Sequence, residues 1–288
     1  MTWIVSAFSD EVDNRLDAQI EALNATGIRH IDPRSINGHN IAELPLEEAR
    51  AAQQKLHDAG IAVNMFGSPL GKVDINAPFE PELVKLEHLA NTAEVFGCRR
   101  VRIFSYFNKE AKPDREWREI ALDRLGRLKK RAQELDLRLF HENEMGIFGE
   151  SAANNKAIAD ELRDDAAFCM IYDFDNYNHA GEDCWQAYKT MKLQTDAIHL
   201  KESDKDGQYV PMGEGAGRTR DILTDLLEAN WVGSLTLEPH LKMSQAVAAT
   251  GPSGGQNRRL ADLSARACFD LAAAKAKALL DEIGAEYQ

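Results

Sequence analysis

Arg138-Leu139-Phe140-His141-Glu142, Phe168-Cys169-Met170-Ile171-Tyr172-Asp173 and Ala197-Ile198-His199-Leu200-Lys201 follow one another at intervals of about thirty residues. Each is a short apolar run closed by an ionisable residue, the length and composition of a strand buried on both faces of a parallel sheet. Polar turns and helical stretches separate them. Outward from this centre the same unit recurs: strands are expected at Trp3–Phe8, Ile28–Asp32, Ala62–Phe66 and Arg100–Phe104 before it, and at Ser234–Glu238 after it. Helical spacing of apolar residues is marked by Leu16, Ile20 and Leu23, by Leu83, Leu86, Leu89 and Ala90, by Leu122, Leu125 and Leu128, and by Ile222, Leu223, Leu226 and Leu227. A last helix is expected over about 257–283.

Eight strand–helix units in 288 residues predict an α/β fold, a single (β/α)8 TIM barrel over residues 1–288. The rival, a doubly wound open sheet, ordinarily carries a glycine-rich phosphate turn after its first strand. Here the first strand runs into Phe8-Ser9-Asp10-Glu11, an acidic turn that would repel a pyrophosphate. Gly251-Pro252-Ser253-Gly254-Gly255 reads as a local flexible loop and not as a domain linker.

Charge and composition exclude several classes of function. Thirty-four Lys and Arg against 47 Asp and Glu leave a net charge of −13, unfavourable for nucleic acid and for an anionic membrane surface. The run Arg127–Arg131 (RLKKR) reads as the solvated face of a helix. No apolar run approaches the roughly 20 residues of a membrane span, and the opening MTWIVSAFSDEV lacks the basic start of a signal peptide. Cys98, Cys169, Cys184 and Cys268 are widely spaced, with no CxxC pair, so neither a disulfide framework nor a zinc ribbon is expected. A reducing cytoplasm is the expected compartment.

Barrel active sites lie at the C-terminal ends of the strands. The fifth to eighth strands end in Glu142, Asp173, His199 and Glu238. A carboxylate following an apolar run is drawn toward a low-dielectric interior, which is costly without a cation or strong donor, and three converging carboxylates repel. A divalent cation bound by all four residues answers both problems. Three oxygens and one nitrogen, with no thiolate, favour Mn²⁺ foremost, then Mg²⁺ or Co²⁺, over a structural zinc, with Zn²⁺ kept as a remaining alternative. Strand parity adds Lys201 after His199, His240 after Glu238, Glu144 after Glu142 and Asp175 after Asp173. Lys201 and His240 are candidate substrate contacts or supports for a ligand carboxylate. Arg34 and Arg102 stand near earlier strand ends without an assignable role.

The segments HENEMGIFGE (His141–Glu150), YDFDNYNHAGED (Tyr172–Asp183), AIHLKESDKDG (Ala197–Gly207), VPMGEGAGR (Val210–Arg218) and LTLEPHL (Leu235–Leu241), with FSDEV (Phe8–Val12) and GSPLGK (Gly67–Lys72), resemble in order and spacing the xylose isomerase-like TIM barrel group of sugar phosphate isomerases and epimerases. The resemblance covers nearly the whole chain. It implies metal binding by Glu142, Asp173, His199 and Glu238, with Glu142 and Glu238 as the acid/base pair. It also implies a homodimer or homotetramer. Two positions depart from the ketose 3-epimerases of that group: Asn176 replaces a His, and Lys205 replaces an Arg. Both contact substrate in the group, so the sugar is not carried over. The AP endonucleases share the barrel but need further histidines that this chain lacks.

The expected function is a metal-dependent sugar isomerase or epimerase acting on a ketose or related keto-polyol through an enediolate, with Glu142 and Glu238 moving the carbon-bound proton. A keto-polyol dehydratase resembling the keto-inositol enzymes is the alternative. A non-catalytic sugar-binding barrel would be expected to have lost one of the four ligands. Lys72 is a candidate phosphate contact and Asn176 a candidate substrate contact. Gly213–Gly217 reads as a surface loop or as a mobile loop over the mouth, with Arg218 a candidate contact to a substrate anion. Glu202, Asp204, Asp206 and Gly207 imitate the start of a calcium loop but lack its terminal Glu, so a polar turn is expected.

Overall fold

The computed structural model describes residues 2–288. Its strands are β1 (Thr2–Ala7), β2 (His30–Ile31), β3 (Ser35–Ile36), β4 (His39–Asn40), β5 (Ala62–Val63), β6 (Arg100–Ile103), β7 (Arg138–Glu142), β8 (Phe168–Asp173), β9 (Thr195–Leu200), β10 (Ser234–Leu237) and β11 (Glu286–Tyr287). Its helices are α1 (Leu16–Thr26), α2 (Leu46–Asp58), α3 (Glu80–Phe96), α4 (Asp114–Glu134), α5 (Ala152–Leu162), α6 (Phe174–His179), α7 (Cys184–Met191), α8 (Thr219–Glu228), α9 (Gln245–Ala249) and α10 (Ala265–Ile283).

Parallel pairing runs β5-β2-β1-β10-β9-β8-β7-β6. The ring closes where Phe66 pairs with Val101, its N–H donating to the Arg100 carbonyl at 2.9 Å and its carbonyl accepting from Arg102 N–H at 2.9 Å. A sheet that returns on itself with helices outside is the predicted (β/α)8 barrel. β11 adds to the start of β1 and ties the C-terminus across the bottom of the cylinder. Most of the apolar core lies between strands and helices; a smaller group, Met65, Phe140, Cys169, Ile171 and Ala197, forms a separate cluster. Among the described residues no helix is long and apolar enough to cross a membrane.

The second and third expected strands are shorter than predicted. Each has a two-residue ladder, though single hydrogen bonds continue it, Asp32 N–H to Ala7 O at 3.0 Å and Asn64 N–H to Ile31 O at 2.9 Å. Pro33 has no N–H to extend the first. The chain then makes the hairpin β3–β4, absent from the expected elements. Its signal was present: Asn37 and Gly38 both have positive φ (52° and 85°), the requirement of a two-residue type I′ turn. The last helix does not begin near residue 257. A 3-10 turn at Arg258–Leu260 precedes it, and α10 starts after Ser264, whose hydroxyl accepts from Ala267 N–H at 3.1 Å.

Two loops expected to be free are tied down. Glu202 accepts from Gly213 N–H at 2.6 Å and Gly215 N–H at 3.3 Å, and from the Thr219 hydroxyl. A Cβ at Gly215 would lie 2.7 Å from Glu202 Cβ, so its glycine serves close approach, not mobility. Gly254 N–H donates to Tyr209 Oη at 2.9 Å and Gly255 N–H to Gly207 O at 2.8 Å, which docks residues 251–255 on the barrel. Asp204 accepts from Asp206 and Gln208 N–H, as a polar turn should.

Candidate metal centre and active site

β7, β8, β9 and β10 are adjacent, and their register sets Asp173 beside His199 and His199 beside Thr236. The alternation of side chains then turns Glu142, Asp173, His199 and Glu238 toward one point. One ligand atom from each lies within 4.8 Å of the others, and all four residues are buried. His199 Nδ1 is 2.7 Å from Glu142 Oε1 and 3.3 Å from Glu238 Oε2. Lys201 Nζ is 3.2 Å from Asp173 Oδ2 and 3.7 Å from Glu238 Oε2. Asp173 also caps α6, its Oδ1 accepting from Asn176 N–H at 2.8 Å, which directs Oδ2 to the cluster. The Asn143 amide brackets the Asp173 backbone, with bonds of 3.0 Å and 2.8 Å.

The residues fit a divalent cation. Apart from ion pairs, Asp173 Oδ2, Glu238 Oε2 and His199 Nε2 are buried with no hydrogen-bond partner, a costly state for polar atoms. Burial, with Glu142 and Glu238 adding repulsion against the pull of Lys201, pushes the Asp173 carboxyl up to about 8. Burial opposes charge on His199, yet Glu142 and Glu238 raise it to about 10. Burial also opposes charge on Glu142, but His199 and Arg102 pull it down to about 2. These opposed shifts follow from crowding like charges in a buried site, which a cation among three oxygens and one nitrogen would relieve.

Opposite the four clustered residues stands a pair of arginines that sequence reasoning left without a role. Arg34 grips Asp10 with Nε and Nη2 at 3.0 and 2.9 Å and donates from Nη1 to Glu238 Oε1 at 3.0 Å. Arg102 donates from Nη1 to Glu142 Oε2 at 3.1 Å. Both guanidinium carbons sit 4.9 Å from the centre of the Phe8 ring. Each of the two glutamates therefore has one oxygen near His199 and the other held by an arginine. Asp10 and Glu11, read only as an acidic turn, are their supports: Glu11 accepts from His240 N–H at 2.9 Å and lies 2.8 Å from its Nδ1. His240 has φ 51°, a left-handed backbone rarely adopted by a non-glycine residue.

Above the cluster is a cavity of about 280 Å³, lined among others by Glu142, Glu238, Lys201, His240 and Asn176. Its outer wall comes from the β3–β4 hairpin and from α9 with the loop after it. Asn176 reaches this cavity with its amide NH2 donating to the Asn143 carbonyl at 2.8 Å. Arg218 does not reach it. It pairs with Asp221 at 2.5 Å, sits over Trp185 at 5.1 Å and is half exposed, because Glu202 folds its loop away from the mouth. Lys72 lines the cavity but is bound to Glu144 at 2.8 Å and to the Thr250 carbonyl at 3.2 Å.

Comparison with solved structures agrees with this architecture. L-ribulose 3-epimerase superposes with TM-score 0.74 at 16% identity, covering 98% of this chain and 96% of that one. The probable 3-DHS dehydratase AsbF of Bacillus anthracis gives 0.71 at 14%, covering 96% and 99%. A xylose isomerase-like TIM barrel protein from Mycobacterium smegmatis, in complex with magnesium, gives 0.67 at 18%, covering 95% and 98%. Comparison with curated proteins gives no match. At these identities the likeness establishes the fold alone. A family profile described as Xylose isomerase-like TIM barrel matches residues 18–254, most of the chain, and the protein belongs to that family.

Proposed function

We propose that the protein is a divalent-metal-dependent sugar isomerase or epimerase that moves a carbon-bound proton of a ketose or keto-polyol. The observation carrying this reading is the convergence of Glu142, Asp173, His199 and Glu238 within 4.8 Å beneath a cavity. These four would hold the cation, which when bound supplies Lewis-acid polarisation of a carbonyl and its neighbouring hydroxyl. Glu142 follows from β7 and Glu238 from the end of β10, with β8 and β9 between them. Two carboxylates so separated flank a small substrate, one taking the proton and the other returning it. Arg102 and Arg34 favour the ionised form of each glutamate, so one accepts the carbon-bound proton while the other returns a proton it has first taken up from solvent. Return to the opposite face of the same carbon is epimerisation; return to the adjacent carbon is isomerisation.

Elimination is a second reading, favoured by Lys201 and His240 lying 3.7 and 3.9 Å from Glu238 in the same cavity. A proton delivered there to a β-hydroxyl would release it as water. The deciding experiment incubates Mn²⁺-loaded protein with keto-sugars in tritiated water. Label entering a carbon-bound position of recovered or isomeric sugar supports proton transfer. Loss of water, seen as a conjugated enone, supports elimination. Binding without either outcome would leave a sugar-binding barrel and overturn the proposal.

A further inference from the structure

We infer that the site takes an uncharged, unphosphorylated polyol; this deepens the proton-transfer reading and rests on it for the cavity being the substrate site. A phosphate subsite needs cations with donors to spare. Four lysine and arginine side chains line this cavity, Arg34, Lys72, Arg102 and Lys201, and each is already engaged by an acid. Arg34 is divided between Asp10 and Glu238. Arg102 binds Glu142 and, through Nη2, the Gly67 carbonyl at 3.2 Å. Lys201 lies between Asp173 and Glu238.

Lys72, the one cation outside the ligand cluster, has Glu144 at 2.8 Å, the Thr250 carbonyl at 3.2 Å and the Phe104 ring at 4.5 Å. Carboxylates outnumber these cations: Asp10, Glu11, Glu142, Glu144, Asp173 and Glu238 all sit in or directly behind the wall. One divalent cation would offset the two surplus negative charges without leaving a positive field for a phosphate dianion. The outer wall instead offers neutral groups suited to hydroxyls, including Asn14 and Gln245, joined at 3.3 Å, with Ser35 and Asn40. The volume of about 280 Å³ lies just below the roughly 300–1,000 Å³ usual for ligand pockets, which suits a small polyol.

The test titrates the full chain, in Mn²⁺, with matched pairs: D-fructose against D-fructose 6-phosphate, and D-ribulose against D-ribulose 5-phosphate. Binding is read by calorimetry and proton transfer by tritium uptake. The expected result is binding of the free ketose at least tenfold tighter than its ester, and Glu144→Gln, which releases Lys72, narrowing that gap severalfold. Equal or tighter binding of the esters, no binding of either member, or an unchanged gap in Glu144→Gln overturns the inference. Preferred binding of free ketose without tritium uptake sinks the proton-transfer reading and leaves the exclusion of phosphate intact.

Discussion

The two halves of the barrel are built differently. From β7 to β10 the strands have five, six, six and four residues, and each delivers one ligand-type side chain to the mouth. In the other half β1 has six residues and β6 four, but β2 and β5 have only two each, and the charged side chains that face the cluster are Arg34, in the loop after β2, and Arg102, within β6. The long-strand half supplies the negative charge and imidazole of the cluster. The short-strand half supplies Arg34 and Arg102, which compensate the glutamates of the first. Concentrated charge can be kept in a buried site because the halves are complementary: removing either partner strands the other in low dielectric.

The sharpest way to break this picture is to neutralise the proposed acid/base pair. Glu142→Gln or Glu238→Gln should lower solvent-proton exchange by roughly 10²–10⁴-fold with the circular dichroism spectrum unchanged; undiminished exchange in both variants would refute the two-carboxylate scheme. Next comes the opposing half. Arg34→Ala should cost about 3–5 kcal/mol in urea denaturation, more than Arg102→Ala, because Arg34 hydrogen-bonds two carboxylates and pairs with a third at 3.8 Å, whereas Arg102 hydrogen-bonds one and pairs with a second at 3.7 Å. If both cost under about 1 kcal/mol, as exposed ion pairs do, the arginines are not what stabilises the ligand half.

Removing the cation should have a smaller effect on folding. A metal at a hundredfold excess over its Kd stabilises by about 2.7 kcal/mol, so chelation should lower Tm by on the order of 5 °C, with recovery on adding Mn²⁺. His199→Asn should weaken that response, and a chelator-insensitive Tm in the unsubstituted protein would argue against a bound ion. The least effect is expected outside both halves of the site. Arg218→Ala should change stability by no more than about 0.5 kcal/mol and leave exchange untouched, since its pair with Asp221 is half exposed.

The contrast between halves also marks where sequence reading succeeded. Arg138–Glu142 and Phe168–Asp173 are found with the ends predicted, because each is a buried run paired with a neighbouring strand on both sides. Ile28–Asp32 and Ala62–Phe66 shrink to two-residue ladders because neighbouring strands, not the segment itself, decide how far pairing extends. The hairpin at Asn37-Gly38 has a short-range signal in the sequence, the Asn-Gly dipeptide that supplies both positive-φ positions of its turn. Gly71 is a different case: a Cβ there would lie 2.0 Å from the Phe104 carbonyl, a close approach between distant segments that GSPLGK alone cannot reveal.

The order of apolar runs, their spacing and the residues ending them were enough to determine the barrel and which four ionisable side chains meet at its mouth, since strand parity and topology are local consequences of sequence. The partners of those residues were not. Arg34 lies 204 positions from Glu238, and Glu11 lies 229 from His240. Which charge meets which carboxylate was decided only when the ring closed, because an ion pair is a matter of distance across the cylinder and not of separation along the chain.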